Sequence, residues 1–89
     1  MSSGLKEIRG KIDKIDVEIL NLLEKRFKLA MRTRKLKRKT TDTGREKEII
    51  EKVLKRSGKI RLLSQEFTKK IFKLIISESK KNQQKKTTN

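Results

Sequence analysis

Apolar residues recur along the first part of the chain at intervals that alternate between three and four residues. This apolar seam consists of Leu5, Ile8, Ile12, Ile15, Ile19 and Leu22. The alternation places all of these side chains on one stripe of an α-helix, as in a coiled-coil heptad. It predicts a first helix from about Leu5 to about Arg38, roughly 50 Å long at the helical rise of about 1.5 Å per residue.

Two shorter amphipathic segments follow the first helix. The second predicted helix begins at Asp42 or Thr43 and ends near Gly58, and the third begins at Ser64 or soon after. The apolar stripe of the second helix is Ile49, Ile50, Val53 and Leu54. Apolar residues cover much of the circumference of the third helix, so we expect that helix to be well buried.

The predicted fold class is all-α, with three helices per protomer and a long first helix. The chain contains no proline, and no segment shows the alternating pattern of a strand. Residues 1–84 are predicted to form one domain, and 85–89 a polar, disordered tail. A compact domain of this size has a radius of gyration of only about 12 Å, so the two shorter helices cannot cover the whole length of the first helix. We therefore expect the seam to pair with a second copy in a homodimer.

Composition restricts the chemistry that is open to the chain. It has 89 residues, with 27 Lys and Arg against 11 Asp and Glu, and contains neither cysteine nor histidine. Disulfides, thiol nucleophiles, histidine bases and zinc sites are therefore excluded, and neither a metal nor a cofactor is expected. No apolar run reaches transmembrane length and no signal peptide is visible, so we expect a soluble, cytoplasmic protein with no membrane partner.

A cation interrupts the apolar seam of the first helix. The seam position after Leu22 is Arg26, and burying an unpaired charge costs several kcal/mol. Lys37 returns to nearly the same face about 16 Å further along the helix, with the small residues Ala30 and Thr33 between them. This spacing favours a slot for a compact anion. A charged residue at one seam position also serves to fix register or oligomeric state, so Arg26 alone does not define a site.

The start of the second helix carries charged residues in an unusual arrangement. Thr43 and Glu46 match a capping box, and Asp42 is an alternative N-cap. Arg45 lies in the first turn, where the helix dipole disfavours a cation, so it calls for a nearby anion.

The third helix loses its apolar character without becoming charged at the corresponding positions. Its stripe of Phe72 and Ile76 is continued by Ser79 and Gln83. Helix ends also fray into polar residues, so this pattern alone is weak.

Three motifs in this order are similar to those of one known family. They are "LKEIRGKIDKIDVEILNLLEKRFKLA", "DTGREKEII" and "IFKLIISESKKNQQ", with a lysine late in the first helix before the second motif. From Leu5 to about Gln84 the sequence resembles the all-α (type II) chorismate mutases. The resemblance implies an intertwined, domain-swapped homodimer with two sites formed between the chains. It assigns eight residues to each site: Arg9, Arg26, Lys37, Asp42, Arg45, Glu46, Ser79 and Gln83.

The resemblance also implies a role for each of these residues. Arg9 would reach into the partner's site and hold one substrate carboxylate, and Arg26 would hold the other from its own chain. Lys37 would contact a carboxylate and the ether oxygen of the breaking bond, to which Gln83 would also donate. The residues implied to be catalytic are these four and Glu46, five in all (Arg9, Arg26, Lys37, Gln83 and Glu46).

The remaining residues are implied to complete the binding of the substrate. Asp42 and Glu46 would bind its ring hydroxyl, Arg45 would organise these acids, and Ser79 would help to seat a carboxylate.

The implied reaction is the intramolecular, Claisen-type rearrangement of chorismate to prephenate in phenylalanine and tyrosine biosynthesis. It needs no proton transfer, nucleophile or cofactor, which suits a chain without histidine or cysteine. The enzyme must hold a dianion in its reactive conformer and stabilise negative charge on the ether oxygen. One preorganised donor at such a point contributes about 3–4 kcal/mol.

Three features leave other functions open. Only four residues separate Lys37 from Asp42, fewer than is usual in the family. This short connection leaves open a mutase of weakened activity. An isochorismate pyruvate lyase looks similar and shares most of the implied site. The net charge of +16 also suits a small helical nucleic-acid-binding protein, although the chain has only three aromatic residues for base stacking.

Overall fold

The computed structural model describes residues 2–36 and 42–84 of the chain. Its elements are α1 (Ser2–Thr33), a 3-10 turn (Arg34–Leu36), α2 (Thr43–Ser57) and α3 (Gln65–Gln84). No strand occurs within the described residues, so the prediction of an all-α fold with three helices is confirmed. Lys37 and the predicted tail at 85–89 lie outside the described residues.

The first helix ends earlier than the predicted boundary near Arg38. Its α-helical part stops at Thr33, and the next three residues continue as a tighter 3-10 turn. The hydroxyl of Thr33 donates to the Ala30 carbonyl at 2.6 Å. Such local side-chain bonds compete with the regular backbone ladder, and a 3-10 turn is a common end for an α-helix.

Side-chain caps fix the starts of the two shorter helices. The Asp42 carboxylate accepts from the backbone N–H of Arg45 at 3.0 Å, so Asp42 is the N-cap of α2. The Ser64 hydroxyl accepts from the Phe67 N–H at 3.1 Å and caps α3 in the same way. Each cap satisfies a backbone donor that the helix itself leaves unpaired. Both predicted starts are confirmed, and of the two candidate caps for α2 the structure selects Asp42.

The helices form an elongated body in which α3 packs against both α2 and α1. Its extents are 57 × 35 × 15 Å and its radius of gyration is 16.7 Å, well above the value of about 12 Å for a compact domain of this size. The six residues of the apolar seam are 48–62% exposed. The helices therefore leave the seam uncovered within one chain.

The third helix is less buried in this chain than its composition suggested. Phe67 is 51% and Leu74 is 69% exposed, and Ile76 is the buried apolar residue of the described chain. The expectation that α3 is well buried is therefore wrong for a single chain, because α1 and α2 cover only one of its faces. None of the described helices combines the length and the apolar character needed to cross a bilayer.

Candidate functional site

A cavity of about 310 Å³ lies where the C-terminal part of α1 meets the start of α2 and the second half of α3. Its volume is within the usual range for small-molecule sites. Six of the eight predicted site residues line it: Arg26, Asp42, Arg45, Glu46, Ser79 and Gln83. Ala30 and Thr33, the small residues expected beside Arg26, also form part of its wall. The spacing argument along α1 and α3 therefore identified side chains that do converge.

Arg26 supplies a partly desolvated positive charge to this cavity. Its burial lowers the pKa of Arg26, and the charge of Arg45 lowers that pKa further. No described carboxylate lies within ion-pair distance of Arg26. A guanidinium stays protonated in proteins, so both effects raise the free energy of the charged site. An anion in the cavity would relieve both, which is the behaviour expected of an anion-binding residue.

The Arg45 side chain is held by one acidic residue of its own helix, Glu48. Its guanidinium donates to Glu48 at 2.6 Å, and both side chains are about half exposed. The hydrogen bond from Arg45 lowers the pKa of Glu48, and the charges of Lys52 and Arg45 act in the same direction. The structure thus gives Arg45 a partner in Glu48. Its implied role in organising Asp42 and Glu46 stays a prediction.

Ser79 and Gln83 are buried at the cavity, with exposures of 6% and 4%. Fraying of the helix end therefore does not explain these two polar residues. The Gln83 amide donates through Nε2 to the Ala30 carbonyl at 3.2 Å. Arg34 in turn donates from Nε to the backbone carbonyl of Gln83 at 2.8 Å. These two bonds tie the end of α3 to the end of α1.

The Gln83 side chain keeps unused hydrogen-bonding capacity. A primary amide has two N–H donors, and the contact with Ala30 uses one of them. Its Oε1 atom is buried without a hydrogen-bond partner among the described residues. Buried polar groups are normally paired, so an orphaned one at a cavity wall needs an explanation. A ligand bearing polar groups is one such explanation.

An ion pair that the sequence interpretation missed also lies in this cavity. Lys80 Nζ is 3.2 Å from Glu46 Oε2, and the two side chains are 32% and 27% exposed. A pattern that could have revealed Lys80 is present: Ile76, Ser79, Lys80 and Gln83 are spaced i, i+3, i+4 and i+7 along one helix face. The cavity is therefore lined by three cationic residues, Arg26, Arg45 and Lys80, and by two carboxylates, Asp42 and Glu46.

One predicted site residue, Arg9, is not among those that the described chain brings together at the cavity. Arg9 is exposed on α1 and precedes Arg26 by 17 residues, about 26 Å along the helix axis. It cannot reach the cavity of its own chain. Lys37 lies outside the described residues. No cluster of potential metal ligands is found in the parts of the chain described, 2–36 and 42–84.

These features define a class of protein: a small, all-helical domain with a cationic cavity lined by buried amide and hydroxyl groups. The family model for chorismate mutase type II matches residues 8–84. The chain therefore belongs to the chorismate mutase type II family, as its motifs led us to expect.

One curated relative shows how much of a longer protein the chain resembles. A bifunctional chorismate mutase/prephenate dehydratase of Aquifex aeolicus (strain VF5) is 42% identical over 79 residues. The matched region covers 82% of this chain and 22% of that protein. The chain thus spans about a fifth of the length of this relative. No solved structure matches the chain significantly.

Proposed function

We propose that the chain is a chorismate mutase, an isomerase that converts chorismate to prephenate in phenylalanine and tyrosine biosynthesis. The observation that carries the proposal is the convergence of Arg26, Glu46 and Gln83 on one cavity of about 310 Å³. Membership of the family suggests chorismate as the substrate. The cavity carries groups that suit its two carboxylates, its ring hydroxyl and its ether oxygen. As a biosynthetic enzyme it would act in the cytoplasm, without a cofactor.

The residues of the cavity suit a reaction that needs no proton transfer. Arg26 is unpaired among the described residues and would bind one carboxylate of the dianion. Glu46 would accept from the ring hydroxyl. The second N–H of Gln83 would donate to the ether oxygen, where negative charge develops as the bond breaks. One such preorganised donor contributes about 3–4 kcal/mol, since it needs no reorganisation during the reaction.

We further propose that the active protein is a homodimer in which each site takes Arg9 from the partner. Two observations support this arrangement. The apolar seam is about half exposed in the single chain, and large exposed apolar surfaces mark interaction sites. Arg9 lies about 26 Å along the helix from Arg26, so only a second copy could bring it to this cavity. The domain-swapped pairing of the first helices would satisfy both requirements.

The first experiment is to follow the loss of chorismate absorbance with the purified protein and to identify prephenate as the product. We expect saturable conversion, with at least a hundredfold loss in Arg26→Ala and little change in Arg32→Ala, which removes an exposed arginine from the same helix. A folded protein that leaves chorismate unchanged would refute the proposal. Conversion of isochorismate to pyruvate instead would indicate the lyase.

The same samples distinguish an enzyme from a nucleic-acid-binding protein. A dianionic substrate and a polyanion would both be favoured by the charge of +16 and both weakened by salt. Only a shared site would let substrate compete with the nucleic acid. Retention of DNA that chorismate does not displace, together with normal turnover, would assign the excess charge to a separate surface.

A further inference from the structure

The pair formed by Lys80 and Glu46 differs from the other ion pairs of the described residues. The other three join neighbours on a single helix, and each of their side chains is more than half exposed. Lys80 and Glu46 instead join α3 to α2, with about a third of each side chain or less exposed. Exposed pairs contribute little, whereas partly desolvated pairs constrain geometry and are screened less by salt. This pair therefore warrants a role beyond a solvated surface.

Its location gives the pair a direct bearing on substrate binding. Both residues line the cavity of about 310 Å³, and both also border a second, larger groove of about 530 Å³. Glu46 therefore belongs to the lining of two adjoining open spaces. An acid at that point would repel a dianion unless its charge were compensated. The ammonium of Lys80, at 3.2 Å, supplies that compensation.

We propose that Lys80 is a positioning residue that acts through Glu46. Its ammonium holds the carboxylate on the α3 side of the cavity, fixes the direction in which the free oxygen can accept, and cancels the repulsion that Glu46 would exert on a dianionic substrate. Glu46 Oε2 is the atom paired with Lys80, which leaves Oε1 as the acceptor for a substrate hydroxyl. This inference rests on the proposed function, because the dianion and its hydroxyl are those of chorismate.

Two other roles for Lys80 predict different behaviour. A lysine that contacted the substrate itself would act independently of Glu46. A lysine that only joined α2 to α3 would affect the stability of the fold and leave the kinetics of the folded enzyme unchanged. A double-mutant cycle separates these cases, because it measures whether the effect of one residue requires the other.

The experiment compares wild type, Lys80→Met, Glu46→Gln and the double variant in the chorismate assay, with KM and kcat determined separately. We expect Lys80→Met to raise KM about tenfold, the effect of one charge-assisted contact of about 1.4 kcal/mol. In the Glu46→Gln background the same change should raise KM less than about twofold, because no carboxylate remains to be held or neutralised. Lys80→Arg should keep KM near the wild-type value.

Lys81→Met is the matched control, since it removes an exposed lysine at the next position of α3, which borders neither the cavity nor the larger groove. It should leave KM unchanged, which would exclude a general loss of positive field. Urea unfolding is measured on every variant, and Lys80→Gln replaces Lys80→Met if the methionine variant does not fold.

Each alternative result overturns the inference in a recognisable way. An equal rise in KM with and without Glu46 would show direct contact between Lys80 and the substrate. Unchanged KM and kcat with a lower free energy of unfolding would show a purely structural pair. An inactive wild type would refute the proposed function itself. An active wild type in which the double-mutant cycle shows no coupling between Lys80 and Glu46 would refute only the role of Lys80.

Discussion

Replacing Gln83 by glutamate should convert a donor that is active at every pH into one that is active only in acid. In the wild type the amide donates to the Ala30 carbonyl at 3.2 Å and has a second N–H, which we proposed as the donor to the substrate. An ionised carboxylate has no proton to donate. Gln83→Glu therefore places an acceptor against the acceptor of Ala30 and against the ether oxygen on which negative charge develops.

The size of the effect follows from the burial of this position. Gln83 is only 4% exposed, and we expect this burial, which raises the pKa of the carboxyl that the substitution introduces, to outweigh the cations of the cavity, which lower that pKa. The Ala30 carbonyl raises it further, because it can only accept a hydrogen bond. Above that pKa the enzyme loses one preorganised donor, which corresponds to about 3–4 kcal/mol and a fall of about 10²- to 10³-fold in kcat. Below it, the protonated carboxyl donates again and much of the rate should return.

The stability of the variant should change with pH in the same direction. With its folded-state pKa above the unfolded value, as expected from the burial, the folded chain binds more protons in the interval between the two. The free energy of unfolding therefore falls as the pH rises from the unfolded-state pKa through the folded-state pKa. Urea unfolding at an acidic and a neutral pH would measure this, beside the pH dependence of kcat/KM.

Gln84→Glu provides the matched control, since it makes the same change at the next residue, which is exposed. Its pH profile should follow the wild type. Turnover of Gln83→Glu near the wild-type level at neutral pH would refute the donor role of Gln83. A large loss with no recovery in acid would show that the substitution damages the packing between α1 and α3.

Three further predictions concern the dimer and the supports of the cavity. Mixing an Arg9→Ala chain with an Arg26→Ala chain, each inactive alone, should restore one intact site per heterodimer. Each heterodimer should then have about half of the wild-type activity, or about a quarter per dimer averaged over a freely exchanged equal mixture, as the symmetry of a two-site dimer requires. No recovery on mixing would contradict the shared site. Arg34→Ala removes the bond to the Gln83 carbonyl and should lower the free energy of unfolding by about 1–2 kcal/mol and reduce kcat, as measured by urea titration and turnover. Asp42→Ala removes the N-cap of α2 and should cost about 1 kcal/mol of stability, while Asp42→Asn, which can still cap, should cost much less; equal losses would count against the cap.

Much of the fold followed from local patterns along the chain. The interval of three and four residues predicted α1, and the polar residues Asp42 and Ser64 marked the starts of the other two helices. These features depend on neighbours in sequence, so a single sequence contains them. The 3-10 end of α1 did not follow, because it depends on where Thr33 places its hydroxyl and on the contact between Arg34 and α3.

The site shows the same division between spacing and packing. Breaks in the apolar stripes identified Arg26, Ser79 and Gln83, because a polar residue on a buried face can be read from periodicity. The same spacing places Lys80 on this face of α3, but its pairing with Glu46 joins two helices and depends on their separation, which periodicity does not give.

The uncovered seam of α1 also affects how the protein would respond to its own concentration. With the first helices paired as proposed, folding and association are one equilibrium, and the free energy of unfolding includes a term in the concentration of protomers. Each tenfold dilution then lowers the stability by about 1.4 kcal/mol at room temperature. Specific activity would fall on dilution as sites lose the partner's arginine, so expression level alone could adjust the fraction of competent enzyme.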